Sequence, residues 1–225
     1  TFDLETLDSE LGWAADIGFN CMRVYLHDLP WTVDSDAYLD RIDQYLAIAG
    51  KHGIKTMFVL FDAVWDPHPT LGKQRDPKHG VHNSGWVQGP HIDVLKDPAR
   101  HKEVKPYVIG VLERFKDDDR VLAWDVYNEP GNTNFGSYKD TEIENKAEVG
   151  LVFLKSVFEW CREVKPSQPL TAGVWINVGG RTDPVDPLDQ LMLDQSDIVT
   201  FHSDSPLNGA KRAVEWVQTF GRPII

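Results

Sequence analysis

Apolar residues recur along this chain in two alternating rhythms. Leu4, Leu7, Leu11, Ala14, Ala15 and Ile17 lie close to helical spacing and predict a helix from Asp3 to Gly18, with Gly18 where a C-cap belongs. A short apolar run follows from Cys21 to Leu26, interrupted only by Arg23. The same alternation continues: a helix from Asp36 to Gly53, a strand from Ile54 to Phe61 ending at Asp62, a helix from His101 to Lys116 and a strand starting at Val121. Beyond it come a long helix from Glu142 to Lys165, a strand from Leu170 to Trp175 opening a Gly-rich loop, and a short helix from Asp186 to Gln195. A strand from Ile198 to His202, a helix from Asn208 to Phe220 and an apolar run at Pro223-Ile224-Ile225 complete the pattern. It disappears only between Ala63 and Pro98, where Trp65, His68, His79, His82, Trp86 and His91 stand among Gly, Pro and Asp. A loop of that length inside a compact domain points to function, and its tryptophans argue against disorder. Trp13, Trp160 and Trp216 fall on helices and are expected in the core.

Strands separated by helices, with about 30 to 60 residues from one strand to the next, predict right-handed βαβ units and a parallel sheet. A doubly wound sheet would carry a Gly-rich phosphate turn after its first strand, and none follows here. A (β/α)8 TIM barrel instead gathers functional residues at the C-terminal ends of several strands. Arg23, His27, Asp62, Asn128, Glu129, Trp175 and His202 all sit at or just past such ends. The fold class is therefore α/β, an incomplete (β/α)8 TIM barrel forming one catalytic domain over residues 1–225. Counting units places the first visible strand second in the barrel and the last, at Ile225, seventh. The chain opens without a methionine or a signal peptide, so it is expected to be an internal piece.

With 225 residues, 41% of them hydrophobic, the chain can bury a sizeable core. A formal charge of −12 excludes the basic stripe that phosphate backbones require, so no nucleic-acid partner is expected. No run approaches the roughly 18 apolar residues of a membrane span. Cys21 and Cys161 have no metal-ligand spacing and read as buried free thiols. The loop histidines match no zinc pattern, and neither metal nor cofactor is expected. Histidines and indoles over a cleft suit a polar, ring-shaped ligand held by stacking and hydrogen bonding.

The chemistry concentrates in Val121-Leu122-Ala123-Trp124-Asp125-Val126-Tyr127-Asn128-Glu129-Pro130. An apolar strand ends there in an amide, a carboxylate and a proline that cannot continue a ladder, which leaves Asn128 and Glu129 at the strand tip. On residue type alone Glu129 reads as a structural ion-pair member. Arg23, a lone charge in a buried run, needs a carboxylate partner.

The run Trp-Asp-Val-Tyr-Asn-Glu-Pro, with an arginine two strands earlier, resembles the glycoside hydrolases of clan A, which include cellulase, β-mannanase and β-galactosidase families. Within that clan, the layout from Leu4 onward resembles bacterial cellulase-like glycosyl hydrolases. The resemblance implies that Glu129 is the general acid/base, that Asn128 bonds the sugar 2-hydroxyl, that Arg23 holds the nucleophile and that His202 is the strand-six histidine. It also implies a nucleophilic glutamate just past Ile225, retaining hydrolysis of β-linked glycans and an extracellular or periplasmic home. Two carboxyl groups about 5 to 5.5 Å apart are needed for that chemistry. A chain lacking the second is expected to be a poor catalyst whose Glu129 returns to an ordinary acidic value. Where the clan often has an aromatic two residues past the histidine, His202-Ser203-Asp204 places Asp204, a candidate substitute. Trp65, Trp86 and Trp175 are candidate platforms for an oligo- or polysaccharide, and Asp62 and His27 candidate substrate contacts. A barrel that binds carbohydrate without cutting it is the alternative, and a metal-dependent barrel hydrolase using His27 and His202 the third reading.

Overall fold

The computed structural model describes residues 2–134, 136–175, 185–203 and 205–225, with the side chains of residues 136 and 137 also left aside. Helix α1 (Leu4–Asp16) starts where Asp3 accepts the backbone N–H groups of Glu5 and Thr6, and it ends at Gly18, whose φ of +98° suits a residue without Cβ. Strand β1 (Cys21–Tyr25) follows. A short helix α2 (Asp28–Val33) then precedes α3 (Ser35–Lys51), whose N-cap is Asp34. Next come β2 (Lys55–Val59), α4 (Ile92–Lys96) and α5 (Lys105–Phe115), with a 3-10 turn at His101–Glu103 between the last two. β3 (Val121–Asp125) leads through a 3-10 segment at Gly136–Thr141 to the long α6 (Lys146–Val164). β4 (Leu170–Thr171), β5 (Val174–Trp175), α7 (Pro187–Gln195), β6 (Phe201–His202) and α8 (Leu207–Gln218) complete the order.

The strands are parallel and lie in chain order. β1, β2, β3 and β4 form one sheet, β5 pairs with β6, and Val199 bridges Ile224 in parallel. The predicted strand from Leu170 to Trp175 is therefore split in two, its halves joining different sheets around Ala172 and Gly173. This sequence of strands is the wall of an incomplete TIM barrel. The helices α2 and α4 are additions to the sequence expectation, each a single short segment of five or six residues, and α4 breaks the loop predicted from 63 to 98.

Residues alternate across the wall. Arg23 is level with Met57 and Ala123, and Tyr25 with Val59 and Asp125. Met57, Ala123 and Ile198 pack together with Cys21 as a small apolar cluster of their own, beneath the polar groups that end the strands. The opposite faces meet the helices. Phe58 and Trp124 stack at 5.7 Å between ring centres, and the Trp124 indole donates to Gln168 at 3.1 Å. Phe61, Tyr107, Tyr127 and Phe153 join edge to face behind the C-terminal ends of β2 and β3. Trp160 is buried as expected, but Trp13 is 67% exposed because Leu11 and Ala14 define the inner face of α1 and Trp13 falls off it. Cys161 is buried and Cys21 half-buried, and both are free.

Candidate active site

Past β3 the chain holds Asn128 in line with the sheet: its N–H donates to the Phe61 carbonyl and its carbonyl accepts from Ala63. Glu129 then takes a φ of +45°, a left-handed conformation that side chains with a Cβ rarely adopt and that recurs at functional sites. The turn aims its carboxylate away from the packed helix layer. Both oxygens are taken: Oε1 accepts from His202 Nδ1, and Oε2 accepts from Asn132 Nδ2 at 2.7 Å. Burial alone would raise the Glu129 pKa, but the hydrogen bonds from His202 and Asn132 and the nearby positive charges of His202 and Arg23 outweigh it. The carboxyl titrates below its ordinary value. It lies lower than the ordinary acidic value expected from the sequence, because the hydrogen bond from His202, and after it that from Asn132, was not foreseen.

Arg23 finds its carboxylate in Asp125. Its Nη2 donates to Asp125 Oδ2 at 2.5 Å and to Asn128 Oδ1 at 2.7 Å, its Nε reaches Asp125 Oδ2 at 3.2 Å, and its Nη1 donates to the Tyr25 hydroxyl at 2.5 Å. Burial opposes the guanidinium charge, yet the Asp125 contact holds the arginine pKa above its usual value, and burial pushes the Tyr25 phenol up to about 12. Because Arg23 can only donate, the Asn128 oxygen faces it and the Asn128 Nδ2 faces Asp62 Oδ1, 2.9 Å away.

Asp62 meets that amide and also lines a cavity of about 320 Å³ with Tyr25, His27 and Trp86. Its side chain is committed to Asn128, the residue is only 6% exposed, and burial raises its pKa to about 7. His27 lines the same cavity, while its Nδ1 accepts from the Leu29 N–H to cap α2, which leaves Nε2 to donate to the Gln88 carbonyl at 2.9 Å. Both ring nitrogens serve the fold. Asp204 and the Gly-rich loop at 176–184 lie outside the described residues.

The three tryptophans do converge. Trp65, Trp86 and Trp175 line a cavity of about 220 Å³ together with Tyr25, His82, Asn128, Glu129 and Asn132. Trp86 meets Tyr25 edge-on at 5.5 Å and Trp65 at 6.4 Å. The wall is held by interlocking loops. Trp65 N–H donates to Asn134 Oδ1 at 2.7 Å while Asn134 Nδ2 donates back to the Trp65 carbonyl, and Glu142 joins the Asn134 N–H to the buried Lys146 ammonium. Arg75 pairs with Asp66 and lies over the Tyr138 ring, whose hydroxyl donates to the Ser84 carbonyl. Among the loop histidines only His82 lines the cavity; His68 and His91 pack against each other, and His91 caps α4. Among the described residues no group of His, Cys, Asp and Glu is arranged to hold a metal ion. Likewise no described helix is long and apolar enough to cross a membrane. Sequence reasoning missed Tyr25, Asp125 and Asn132.

Comparison with known proteins adds a partial family match and a fold. The family described as Glycosyl hydrolase family 10 matches residues 79–177. Among relatives, the chain is similar to the probable mannan endo-1,4-beta-mannosidase A of Aspergillus clavatus, 28% identical over 92 residues, which are 41% of this chain and 23% of that protein. The matched segment thus spans less than a quarter of that relative. Among solved structures, the endo-1,4-beta-mannanase from Rhizomucor miehei superposes with a TM-score of 0.67 at 18% identity, covering 99% of this chain and 72% of that one. An endo-beta-1,4-mannanase from Thermotoga petrophila gives a TM-score of 0.62 at 16% identity, covering 99% and 57%. At such identities the superpositions show the fold.

Proposed function

We propose that this incomplete TIM barrel is a glycoside hydrolase of clan A and supplies the acid/base side of a retaining hydrolase of β-linked glycans, with Glu129 as the acid/base. The placement of Glu129 supports this reading most: a carboxylate at the strand tip, gripped by two donors, facing a cavity walled by three tryptophans. Asn128 has its amide orientation fixed from both sides and is set to bond a sugar hydroxyl. Arg23 orients Asn128 and neutralises Asp125.

A carboxyl held below its ordinary pKa is ready to accept a proton, the base half of the cycle. The acid half requires that proton to be present when the leaving oxygen departs, and a second carboxylate brought close to Glu129 would raise its pKa to allow this. The relatives named for mannan make a β-1,4-linked mannan backbone the first substrate to test. A neutral polysaccharide also suits the charge of −12, and a polymer of that size places the work in an extracellular or periplasmic setting.

The test is hydrolysis of mannan, xylan, β-glucan and aryl β-glycosides by the protein and by its Glu129→Gln form. Loss of the acid/base should lower turnover by about 10²–10⁴-fold, most for poor leaving groups. Undiminished hydrolysis by Glu129→Gln would refute the assignment. Saccharide binding by both forms without cleavage of any substrate would make the barrel a binding scaffold.

A further inference from the structure

Glu129-Pro130-Gly131-Asn132 is a β-turn, closed by the Asn132 N–H donating to the Glu129 carbonyl at 2.8 Å. The turn brings Asn132 back over the residue it started from. Two close approaches hold it in place. A Cβ on Gly150 of α6 would come within 2.8 Å of the Pro130 carbonyl oxygen, and a Cβ on Gly131 within 2.9 Å of the Leu188 side chain on α7. Gly150 leaves no room for a side chain and one on Gly131 would displace the end of Leu188, so the turn packs between two helices.

Asn132 is 9% exposed, and the two ends of its amide have different fates. Nδ2 donates to Glu129 Oε2 at 2.7 Å. Oδ1 is buried and has no hydrogen-bond partner among the described residues. An unpaired buried acceptor destabilises the empty site, so a partner that arrives with the ligand relieves a standing penalty. The residue is well placed for one. Asn132 lines the tryptophan-walled cavity and also a second cavity of about 210 Å³ beside α7, and Glu129 and Trp175 are the other residues common to both.

We propose that Asn132 is the positioning residue of the acid/base carboxylate and also a saccharide contact, its Nδ2 fixing Glu129 Oε2 and its free Oδ1 accepting a sugar hydroxyl. This inference rests on the reading of Glu129 as the acid/base. It explains why the carboxylate meets the cavity in one orientation: with Oε1 on His202 and Oε2 on Asn132, rotation of the carboxyl breaks two hydrogen bonds at once. It also makes the sugar and the carboxylate neighbours through one amide, so a hydroxyl bound at Oδ1 polarises the donor that grips Glu129.

The test follows the Glu129 carboxyl carbon by NMR through a pH titration of the protein and its Asn132→Ala, Asn132→Asp and Asn132→Ser forms. The titratable groups around Glu129 are His202, Arg23, Asp62 and, on α7, Asp189, and all of them stay in place in these variants. Removing one of two donors should move the Glu129 midpoint up in Asn132→Ala. Asn132→Asp, which sets a second carboxylate where the amide was, should move it further, and Asn132→Ser should fall between wild type and Ala. A β-1,4-linked manno-oligosaccharide should bind Asn132→Ala about fivefold to tenfold more weakly. A midpoint and an affinity that stay at their wild-type values in Asn132→Ala and Asn132→Asp overturn the proposal. The failures separate: if Glu129→Gln still hydrolyses glycan while the Asn132 variants shift the Glu129 midpoint, the acid/base reading falls and the grip on Glu129 stands. If Glu129→Gln is inactive and the midpoint does not move, the role of Asn132 falls alone.

Discussion

Replacing Asp62 by asparagine should change the pH dependence of stability more than stability itself. Asp62 is buried behind Asn128, and burial lifts its carboxyl from an ordinary 3.8 to about 7, with the Glu129 charge adding to the rise and the Asn128 amide opposing it. The sign follows from proton release. Between these two values the folded chain keeps the Asp62 proton and the unfolded chain has lost it, so unfolding releases a proton and stability falls as pH rises. The contribution is lost progressively from about pH 4 and levels off above about pH 8. A shift of about three units corresponds to about 4 kcal/mol across that window. Asp62→Asn keeps an oxygen for the Asn128 Nδ2 and cannot ionise, so its own contribution is flat. The assay is equilibrium unfolding in urea at pH 5, 6, 7 and 8 for both forms, read as the difference between them so that other titrating groups cancel. Asp62→Asn should gain on the wild type by several kcal/mol from pH 5 to pH 8. A difference that stays constant over this range would refute the argument that the carboxyl is neutral in the fold.

Two further outcomes follow from the same geometry. Arg23→Met strips Asp125, which is fully buried, of its paired cation and should destabilise the fold by about 3–5 kcal/mol; a loss under about 1 kcal/mol in urea unfolding would contradict the pairing. Trp86 is 46% exposed, so Trp86→Ala should leave the urea midpoint nearly unchanged while weakening manno-oligosaccharide binding about tenfold by calorimetry, and unaltered affinity would remove Trp86 from the binding surface.

How much of this was legible in the sequence depended on whether one segment sufficed. Glu129 and Asn128 were readable because Pro130 ends the strand within the same ten residues. Arg23 stood out as one charge in an apolar run, but its partner did not, since only strand register places Asp125 one layer above Ala123 and within reach of the guanidinium. The capping bond of His27 was hidden for a local reason. A six-residue helix begins at the next residue, too short to show a period, and it takes His27 as its cap. His91 does the same for the five residues of α4. Asn132 did carry a signal, because Pro-Gly after Glu129 marks a turn that returns the chain on itself.

The polar groups at the strand tips hold together because their charges are distributed unequally. Asp125 is paired with Arg23, so its burial is compensated. Glu129 keeps its charge because two donors and the Arg23 field favour it, and that charge is among the causes that hold the proton on Asp62. Asn128 links the two ends, accepting from Arg23 and donating to Asp62. Two carboxyl groups served by adjoining strands thus have their pKa values pushed apart, Glu129 down and Asp62 up, an arrangement by which a fold assigns separate proton roles to chemically alike groups. The coupling runs both ways. A proton delivered to Glu129 removes the charge that opposes Asp62 ionisation, so the acid state of Glu129 and the neutral state of Asp62 disfavour each other. In this arrangement Asp62 limits how far the charge on Glu129 can change before the network behind Asn128 must respond.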